Sequence, residues 1–211
     1  EGYLPDERTP ILSPAAQDLA ERALRYSPQA PLYVVAIGAI TNIASALLLR
    51  PEICENIVVV WLGGHAHHFH STDEFNMKQD IAAARVVMQS GAPFVQLPCM
   101  GVVSAFTVSG PELRLWLSKK NPLADYLAEN TIKAAESYAA GRPWTRVIWD
   151  VTAVAWLLNE DNRFLLSRVI PLTLPTYDHL YSTASHELWM RYVYFVNRDV
   201  LFKDLVDRLT R

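Results

Sequence analysis

Apolar runs alternate with amphipathic segments along the first half of the chain. Continuous runs rich in β-branched residues predict buried strands at 32–37, 57–62 and 93–97. Segments with apolar residues at helical spacing predict helices before and between these strands, at 15–26, 43–49 and 81–89. Strands that alternate with helices through short connections are typical of βαβ units. We therefore predict an α/β fold: a Rossmann-like, open, mostly parallel sheet with flanking helices.

The second half of the chain carries weaker patterns. Helical spacing predicts helices at 111–118, 123–140, 151–158 and 200–209, and short apolar runs predict late strands at 168–174 and 191–196. Residues 102–108 fit either a strand or a loop, and the proline-rich residues 1–14 predict a surface loop. Because the pattern contains no internal repeat, low-complexity tract or linker, we predict a single domain over residues 1–211.

Polar residues and glycines beside the helical segments predict where the helices begin and end. Ser13 is suited to the N-cap of the first helix, and either Thr41 or Asn42 can cap the second. Asp80 can cap the helix predicted at 81–89, and Gly91 suits the position just after its last turn.

Composition and charge narrow the classes of partner. The 211 residues carry 19 basic and 22 acidic side chains, and this net charge of −3 gives no reason to expect nucleic acid or an anionic membrane as partner. Cys54 and Cys99 lack CxxC spacing, so we expect two thiols in a reducing compartment. The chain begins with Glu1 rather than Met and shows no targeting segment. We therefore expect a processed or truncated chain of cytoplasmic location, with a cleaved signal peptide as the alternative.

The stretch from Ile57 to Asn76 places polar residues where an α/β sheet binds ligands. Its apolar strand ends at Gly63 and Gly64, and ligands of open α/β sheets bind beyond the carboxyl ends of the strands. Glu74 and Asn76 alternate around Phe75, so an extended segment projects both to one side while Phe75 packs on the other. A carboxylate and an amide at this spacing can hold a vicinal diol. The alternative is a solvated loop with one buried aromatic.

Trp149 and Asp150 stand at the start of the helix predicted at 151–158. Asp150 is either a simple N-cap or a metal-ligand carboxylate, since hard cations such as Ca2+ take carboxylate and carbonyl oxygens. Trp149 is either a core residue or an aromatic that stacks on a flat heterocycle at a pocket rim.

The loop after the glycines contains four histidines: His65, His67, His68 and His70. Imidazole is a common zinc ligand, but this spacing matches no familiar ligand set. We interpret the segment instead as a mobile loop that lines a pocket and contributes one histidine to a substrate. His179 and His186, in the polar stretch 177–187, indicate nothing further. The chain contains no GxSxG, HExxH or GxxxxGK[ST] motif, which argues against several common hydrolase and nucleotide-binding mechanisms.

Three segments in this order resemble the nucleoside hydrolase family of inosine–uridine preferring N-ribohydrolases. The first is GAITNIA at 38–44, similar to G-P-L-T-N-hydrophobic-A. The second is VVWLGG at 59–64 followed by EFN at 74–76, similar to V-x-M-G-G and E-F-N. The third is WD at 149–150 with AVA at 153–155, similar to [HW]-D-x-x-A-hydrophobic-A. The ending, NRD at 197–199 to DL at 204–205, also resembles the C-terminal helix of many bacterial members.

The resemblance implies hydrolysis of the N-glycosidic bond of ribonucleosides, with a Ca2+ ion that binds the attacking water and the ribose 2′- and 3′-hydroxyls. It implies Asp150 and the backbone carbonyl of Ile37 as metal ligands. The substrate-binding residues that it implies are Leu62, in place of a methionine that touches the sugar, Glu74 and Asn76 on ribose hydroxyls, His68 near the 5′-hydroxyl, and Trp149. Purine-preferring members carry Trp before the metal aspartate, so Trp149 favours purine nucleosides.

The chain departs from the family at its start. Members begin with a strand carrying D-x-D-x-x-x-D-D, which supplies most metal carboxylates and the general base. No such cluster is present here, and Asp6 and Glu7 lie in a proline-rich loop and do not replace it. The catalytic residue is therefore unknown, and the general-base aspartate is expected in that N-terminal segment. We predict that the 211 residues alone bind Ca2+ poorly, do not hydrolyse nucleosides and expose a sheet edge.

The sequence is compatible with three functions. The leading one is a nucleoside hydrolase seen without its N-terminal part, and family members are commonly homodimers or homotetramers. The second is a non-catalytic or redirected member that binds a ribosylated or sugar ligand. The third is a metalloenzyme of another reaction class that uses the histidine loop.

Overall fold

A computed structural model describes residues 2–183 and 188–211. The helices in these ranges are α1 Pro14–Ala23, α2 Thr41–Leu49, α3 Phe75–Gln79, α4 Ile81–Gln89, α5 Gly110–Trp116, α6 Pro122–Ala139, α7 Val151–Leu157 and α8 Arg198–Leu209. The strands are β1 Leu32–Ala36, β2 Ile57–Leu62, β3 Phe94–Leu97, β4 Thr107–Val108, β5 Arg146–Val147, β6 Leu165–Pro171, β7 Thr173–Pro175, β8 Tyr181–Thr183 and β9 Trp189–Val196. Short 3-10 turns lie at Pro51–Glu55, Val103–Ala105 and Glu160–Asn162.

The predicted α/β fold with a mainly parallel sheet is confirmed. Five strands form the sheet in the order β1-β2-β3-β9-β6. β1 pairs in parallel with β2, β2 with β3, and β3 with β9. Two antiparallel pairs lie outside this sheet, β4 with β5 and β7 with β8. β2 has the predicted bounds and is buried along its length except at Val58, which is half-buried, as a continuous apolar run requires.

The described residues group into two compact units. The first consists of Glu1–Val102 and Ser167–Tyr194, and the second of Val103–Leu166 and Phe195–Arg211. The single domain predicted from the sequence stays a prediction.

One expectation from composition can be compared with the structure. Cys54 and Cys99 are both thiols, as predicted. No helix in the described part of the chain is both long and apolar enough to cross a membrane.

The buried carboxylate of Asp80 connects several parts of the first unit. It caps α4 as predicted, by accepting the N–H of Ala83 at 2.9 Å. It also accepts the hydroxyl of Thr41 on α2 at 2.6 Å and the N–H of Leu4 in the N-terminal loop at 2.9 Å. Asp80 is 4% exposed, so these donors replace the water that a buried carboxylate loses. One side chain therefore attaches the N-terminal loop and α2 to the start of α4.

Of the N-caps predicted for α1 and α2, the first is confirmed and the second is wrong. Ser13 caps α1 by accepting the N–H of Ala16 at 3.1 Å. The cap predicted for α2 is wrong, because this helix begins at Thr41 and has no side-chain cap. Thr41 donates to Asp80 instead, and Asn42 accepts the Ser13 hydroxyl at 2.8 Å. Tertiary partners therefore use the side chains that local pattern assigned to capping.

Within the second unit, hydrogen bonds and an ion pair at the helix ends connect the helices. Ser109 and Glu112 form a capping box at the start of α5. Arg198, the first residue of α8, donates to the carbonyl of Thr107 at 2.9 Å and pairs with Glu112. Asn121 caps α6 and its side-chain amide donates to the carbonyl of Leu209 at 2.8 Å.

Several element predictions differ from the structure. The ambiguous residues 102–108 contain a 3-10 turn and then β4, and the strand predicted at 168–174 is divided between β6 and β7. β9 begins two residues before its predicted start, and α3 and β8 were not predicted. Gly91 has a φ of +84°, as expected for the residue that follows α4. His186 lies outside the described residues.

Candidate functional site

The turn after β2 depends on both of its glycines. A Cβ atom at Gly63 would lie 2.4 Å from the indole of Trp61. Gly64 has a φ of +74°, and a Cβ atom there would lie 2.5 Å from the hydroxyl of Tyr181. The sharp turn predicted at the carboxyl end of the strand is therefore present, and only glycine fits it.

Glu74 braces this turn from the loop that returns to it. Its carboxylate accepts the N–H of Gly64 at 2.9 Å, so it is attached directly to the end of β2. It also accepts the N–H groups of Asn76 and Met77, both at 2.9 Å, and thereby caps α3. Glu74 is 5% exposed. Its visible role is structural, and its predicted contact with ribose stays a prediction.

Asn76 braces the same turn through the preceding carbonyl. Its side-chain amide donates to the carbonyl of Leu62 at 2.8 Å, and Asn76 is 8% exposed. Leu62 is 1% exposed, so its predicted contact with the sugar also stays a prediction.

The extended conformation predicted for residues 74–76 is wrong. Residues 75–79 form α3, and Phe75 is 71% exposed instead of packed. The physical reason is the capping carboxylate, because Glu74 captures the first free N–H groups of a helix. Glu74 and Asn76 are both buried, because each bonds to the turn after β2.

His67 attaches the histidine loop to the sheet. Its ring centroid lies 4.5 Å from the ring centroids of both Tyr181 and Tyr192. Its Nε2 lies 3.1 Å from the side-chain oxygen of Gln96 on β3. Burial lowers the pKa of His67, and this effect exceeds the opposing one of the bond with Gln96.

The other three histidines of the loop lie in different environments. His68, the residue assigned to the 5′-hydroxyl, is exposed, with its ring centroid 4.9 Å from that of Phe69. His70 is also exposed. His65 is half-buried, its Nδ1 is buried without a hydrogen-bond partner among the described residues, and burial lowers its pKa. The zinc hypothesis has no support, because the described residues contain no group of three or more His, Cys, Asp or Glu that could hold a metal.

Gln96 and Tyr181 are parts of the site that sequence reasoning missed. Gln96 is fully buried, and its amide nitrogen donates to the carbonyl of Gly63 at 3.0 Å and to the hydroxyl of Tyr181 at 3.1 Å. The Tyr181 hydroxyl in turn donates to the carbonyl of His65 at 2.8 Å. One signal was present in the sequence: Gln96 is the polar residue inside the apolar run at 93–97. A buried amide of this kind indicates a hydrogen-bond network.

Ile37 and Gly38 follow β1 on the strand next to β2. The Trp61 indole donates to the carbonyl of Gly38 at 2.9 Å, which fixes the backbone just after Ile37. The side chain of Ile37 is 50% exposed, and its carbonyl is the atom that the resemblance assigns to the metal.

Trp149 and Asp150 belong to the second unit. Trp149 is half-buried, and its carbonyl accepts the hydroxyl of Thr152 at 2.7 Å. Asp150 occupies the N-cap position of α7 but makes no capping hydrogen bond with its side chain. Partial withdrawal from water raises the pKa of Asp150. The interpretation of Asp150 as a simple N-cap is therefore disfavoured, because its carboxylate does not bond to the start of α7.

The described residues do not form a Ca2+ site by themselves. Ca2+ takes about 6–8 oxygen ligands. Asp150 has the right chemistry, since its carboxylate is not used for capping. However, residues 2–183 and 188–211 contain no group of three or more acidic, histidine or cysteine side chains suited to a metal. One carboxylate and one carbonyl are too few donors for this ion.

Solved structures with the same fold are nucleoside hydrolases. A plant nucleoside hydrolase superposes with a TM-score of 0.77 at 19% identity, covering 96% of this chain and 69% of that one. A purine-preferring ribonucleoside hydrolase from Gardnerella vaginalis gives a TM-score of 0.74 at 21% identity, covering 95% of this chain and 66% of that one. The parallel sheet with its braced glycine turn therefore has the fold of this class of protein.

The chain belongs to the inosine-uridine preferring nucleoside hydrolase family, whose sequence model matches residues 2–192. The non-specific ribonucleoside hydrolase RihC of Salmonella paratyphi B is 31% identical over 167 residues, which are 76% of this chain and 52% of that protein. The chain thus spans about half the length of the curated relatives it matches. The family resemblance stated from the three sequence segments is confirmed.

Proposed function

We propose that the protein hydrolyses the N-glycosidic bond of ribonucleosides to ribose and free base, and that this chain supplies one wall of the nucleoside site. The observation that carries the proposal is the turn at Gly63 and Gly64, braced by Glu74 and Asn76 at the carboxyl end of a parallel strand. This is where open α/β sheets bind ligands. Family membership over residues 2–192 supports the same reaction class.

The proposal assigns ribose recognition to the residues around this turn. Glu74 has oxygen lone pairs beyond the three that its backbone partners occupy, because a carboxylate has about four acceptor positions. Asn76 keeps a carbonyl oxygen beside the amide that holds Leu62. His68 is assigned to the 5′-hydroxyl side, and its exposure is compatible with a contact to a ligand. Leu62 is assigned the sugar contact, which requires a small movement because its side chain is buried.

Ca2+ is the metal that we propose for the whole protein. Asp150 is one proposed ligand, and its raised pKa and uncapped carboxylate suit a site where a cation replaces lost water. The carbonyl of Ile37 is the other. Because these donors are fewer than the ion needs, we expect the 211-residue chain to bind Ca2+ poorly and not to turn over nucleosides.

A purine preference is proposed from Trp149. An aromatic ring beside the leaving base stabilises a flat heterocycle by stacking, and a larger purine gains more contact than a pyrimidine. The non-specific relative RihC and the purine-preferring relative differ in their stated preferences, so the name of neither decides the matter. We also propose a homodimer or homotetramer and a cytoplasmic location.

The second candidate is a non-catalytic or redirected member that binds a ribosylated or sugar ligand. It is motivated by the loop before Glu74, where His68 stands near the position at which the resemblance places an asparagine that contacts the 5′-hydroxyl. In this case the wall holds a sugar but no bond is broken.

The test measures release of ribose from inosine and uridine, with Ca2+ and with a chelator. It uses the 211-residue chain and, in parallel, this chain with whatever residues its gene encodes before Glu1. Hydrolysis is expected only from the extended protein, and it should be abolished by the chelator and by Asp150→Ala. Glu160→Ala, an exposed acidic position of the same unit, is the matched control.

Each outcome separates the candidates. Binding of ribose or inosine by an extended protein without turnover would favour the second function. Turnover of inosine by the 211-residue chain, lost in Asp150→Ala, would show that our expectation for the chain alone is wrong. For the purine preference, Trp149→Ala should lower kcat/KM for inosine by about 2- to 10-fold more than for uridine.

A further inference from the structure

Three buried polar atoms of the first unit have no hydrogen-bond partner among the described residues. They are Nδ1 of His65, the hydroxyl oxygen of Thr72 and Nδ1 of His179. Thr72 is the most fully enclosed of the three residues, since it is 0% exposed, whereas His65 and His179 are half-buried. Polar atoms withdrawn from water almost always bond to the protein or to an ordered water molecule. Each of the three atoms therefore requires a partner that the surrounding side chains do not supply.

The segments that carry these atoms lie against one another. Thr72 donates its backbone N–H to the carbonyl of His179 at 2.7 Å, and His179 belongs to the turn at 176–180 that joins β7 to β8. The carbonyl of His65 accepts the hydroxyl of Tyr181, the first residue of β8, at 2.8 Å. The histidine loop, residues 65–70, and the segment before Glu74 therefore both contact the same hairpin.

The ring of His65 also lies beside the segment that contains Thr72. Burial lowers the pKa of His65, whereas Glu74 and Asp73 oppose this effect, so both of these residues are near the imidazole. Asp73 directly follows Thr72, and the carbonyl of Thr72 accepts the N–H of Glu74 at 2.6 Å. The histidine loop, residues 71–74 and the turn at 176–180 thus meet around the three atoms.

The chemistry of the three atoms indicates which ligand they suit. A threonine hydroxyl can donate and accept a hydrogen bond, and Nδ1 of a neutral imidazole either donates or accepts according to its tautomer. Water can satisfy all of these groups, because it can both donate and accept. An anion is disfavoured by the carboxylates near His65, and a metal ion by the fact that the described part of the chain has no cluster of three metal-ligating side chains.

We propose that a buried water molecule binds where the histidine loop meets the turn at 176–180, and that it bonds to the hydroxyl of Thr72 and to Nδ1 of both His65 and His179. Three partners are the usual number for a buried water. Residues 71–74 bring Glu74 to Gly64, whose N–H its carboxylate accepts at 2.9 Å. The water therefore stabilises the position from which Glu74 braces the turn after β2. This inference does not depend on the proposed function.

A crystal structure of the 211-residue chain that resolves internal waters tests the site directly. We expect one water within about 2.7–3.2 Å of the Thr72 hydroxyl and of Nδ1 of both histidines. A direct hydrogen bond from the Thr72 hydroxyl to a protein group would overturn the proposal. So would a hydroxyl with no water beside it, or a water on Thr72 that does not reach both histidines.

Thr72→Val gives a second test in solution, because it removes the hydroxyl and keeps the shape of the side chain. If the hydroxyl bonds to water, this substitution should lower the midpoint of urea unfolding by about 0.3–0.5 M. If the hydroxyl has no partner, removal of a buried unpaired group should raise the midpoint or leave it unchanged. A midpoint at or above the wild-type value would therefore overturn the proposal.

Thr152→Val is the matched control for this measurement. Thr152 is also 0% exposed, and its hydroxyl has a known partner, the carbonyl of Trp149 at 2.7 Å. Its midpoint should fall by a similar amount, which shows that the assay detects the loss of one buried hydroxyl bond. If Thr72→Val folds poorly, the crystal structure of the wild-type chain decides the matter.

Discussion

Glu74→Ala removes a carboxylate that three backbone N–H groups share. Two of these groups begin α3, and the third belongs to Gly64 in the turn after β2. Because Glu74 is 5% exposed, water cannot readily replace the carboxylate at all three donors. If Glu74 serves as a brace, the variant must lose stability whether or not any ligand is bound.

The magnitude can be worked from these bonds. A hydrogen bond to a charged group contributes about 1.5–3 kcal/mol, and loss of a helix cap costs about 0.5–2 kcal/mol. These contributions overlap, because two of the bonds are the cap, so we expect a loss of about 3 kcal/mol in the free energy of unfolding. Glu74→Gln keeps the shape but turns an amide N–H toward a backbone donor, and should cost about 1–2 kcal/mol.

Urea unfolding followed by circular dichroism measures the effect. With an m value of about 2–3 kcal/mol/M, Glu74→Ala should lower the midpoint by about 1–1.5 M. The neighbouring Asp73→Ala is the matched control, because Asp73 is exposed and its ion pair with Lys78, at 3.2 Å, lies at the surface. Exposed pairs contribute about 0–1 kcal/mol, so its midpoint should move little.

One result would refute the reasoning. If Glu74→Ala changes the free energy of unfolding by less than about 0.5 kcal/mol at an unchanged m value, Glu74 is not a brace. Its burial would then be explained by a ligand role alone, since residues kept for function are often neutral or costly for stability.

Two further comparisons use matched pairs of positions and the same unfolding assay. Gly64→Ala combines a positive φ with overlap on the Tyr181 hydroxyl, so it should lower the free energy of unfolding by about 3 kcal/mol or more. Gly91→Ala also has a positive φ, but its Cβ atom meets open space, so it should lower the free energy of unfolding by only about 1 kcal/mol. Similar costs at both glycines would contradict the crowding argument. Asp80→Ala should lower the free energy of unfolding by about 3 kcal/mol, because the buried carboxylate of Asp80 accepts three hydrogen bonds. Asp150→Ala should change the free energy of unfolding by no more than about 0.5 kcal/mol, because the Asp150 side chain makes no capping hydrogen bond. A large loss at Asp150 would show that its carboxylate has a structural partner.

The elements that could be predicted are those whose cause is local. β1, β2 and β3 are continuous apolar runs, and such runs are stable only when buried on both faces of a parallel sheet. α4 begins at Asp80 and is followed by Gly91 as predicted, because an N-cap and a residue of positive φ act within a few residues of the helix.

The elements that could not be predicted depend on partners far along the chain. Residues 74–76 alternate like a strand, yet they begin a helix because Glu74 bonds both to Gly64 and to the first N–H groups of α3. Thr41 has the chemistry of a cap but donates to Asp80, which lies 39 positions away. The pattern of apolar and polar residues does not show which residues far apart in the sequence will be in contact.

The same limit applies to the candidate site. The Gly63–Gly64 turn could be anticipated from residue type, whereas the helical start at Phe75 and the burial of Glu74 and Asn76 could not. The network under the turn could not, because Gln96 meets Tyr181 across 85 positions of sequence. Of the four histidines, spacing alone could not distinguish the half-buried His67 from the exposed His68, since only tertiary packing separates them.

The double use of Glu74 and Asn76 determines how their variants must be interpreted. Both side chains hold the turn after β2 in the absence of any ligand, so loss of nucleoside hydrolysis in Glu74→Ala or Asn76→Ala does not by itself indicate a contact with ribose. A ribose contact requires that KM for a nucleoside rises in a variant whose turn is still closed. Protection of the Gly64 amide against hydrogen exchange reports that closure, because its N–H is bonded to Glu74. Asn76→Asp is therefore the informative variant at the second position, because it keeps an oxygen for a ligand but loses the amide that donates to the carbonyl of Leu62. A normal KM together with an unprotected Gly64 amide would separate the ligand contact of residue 76 from its role in holding the turn.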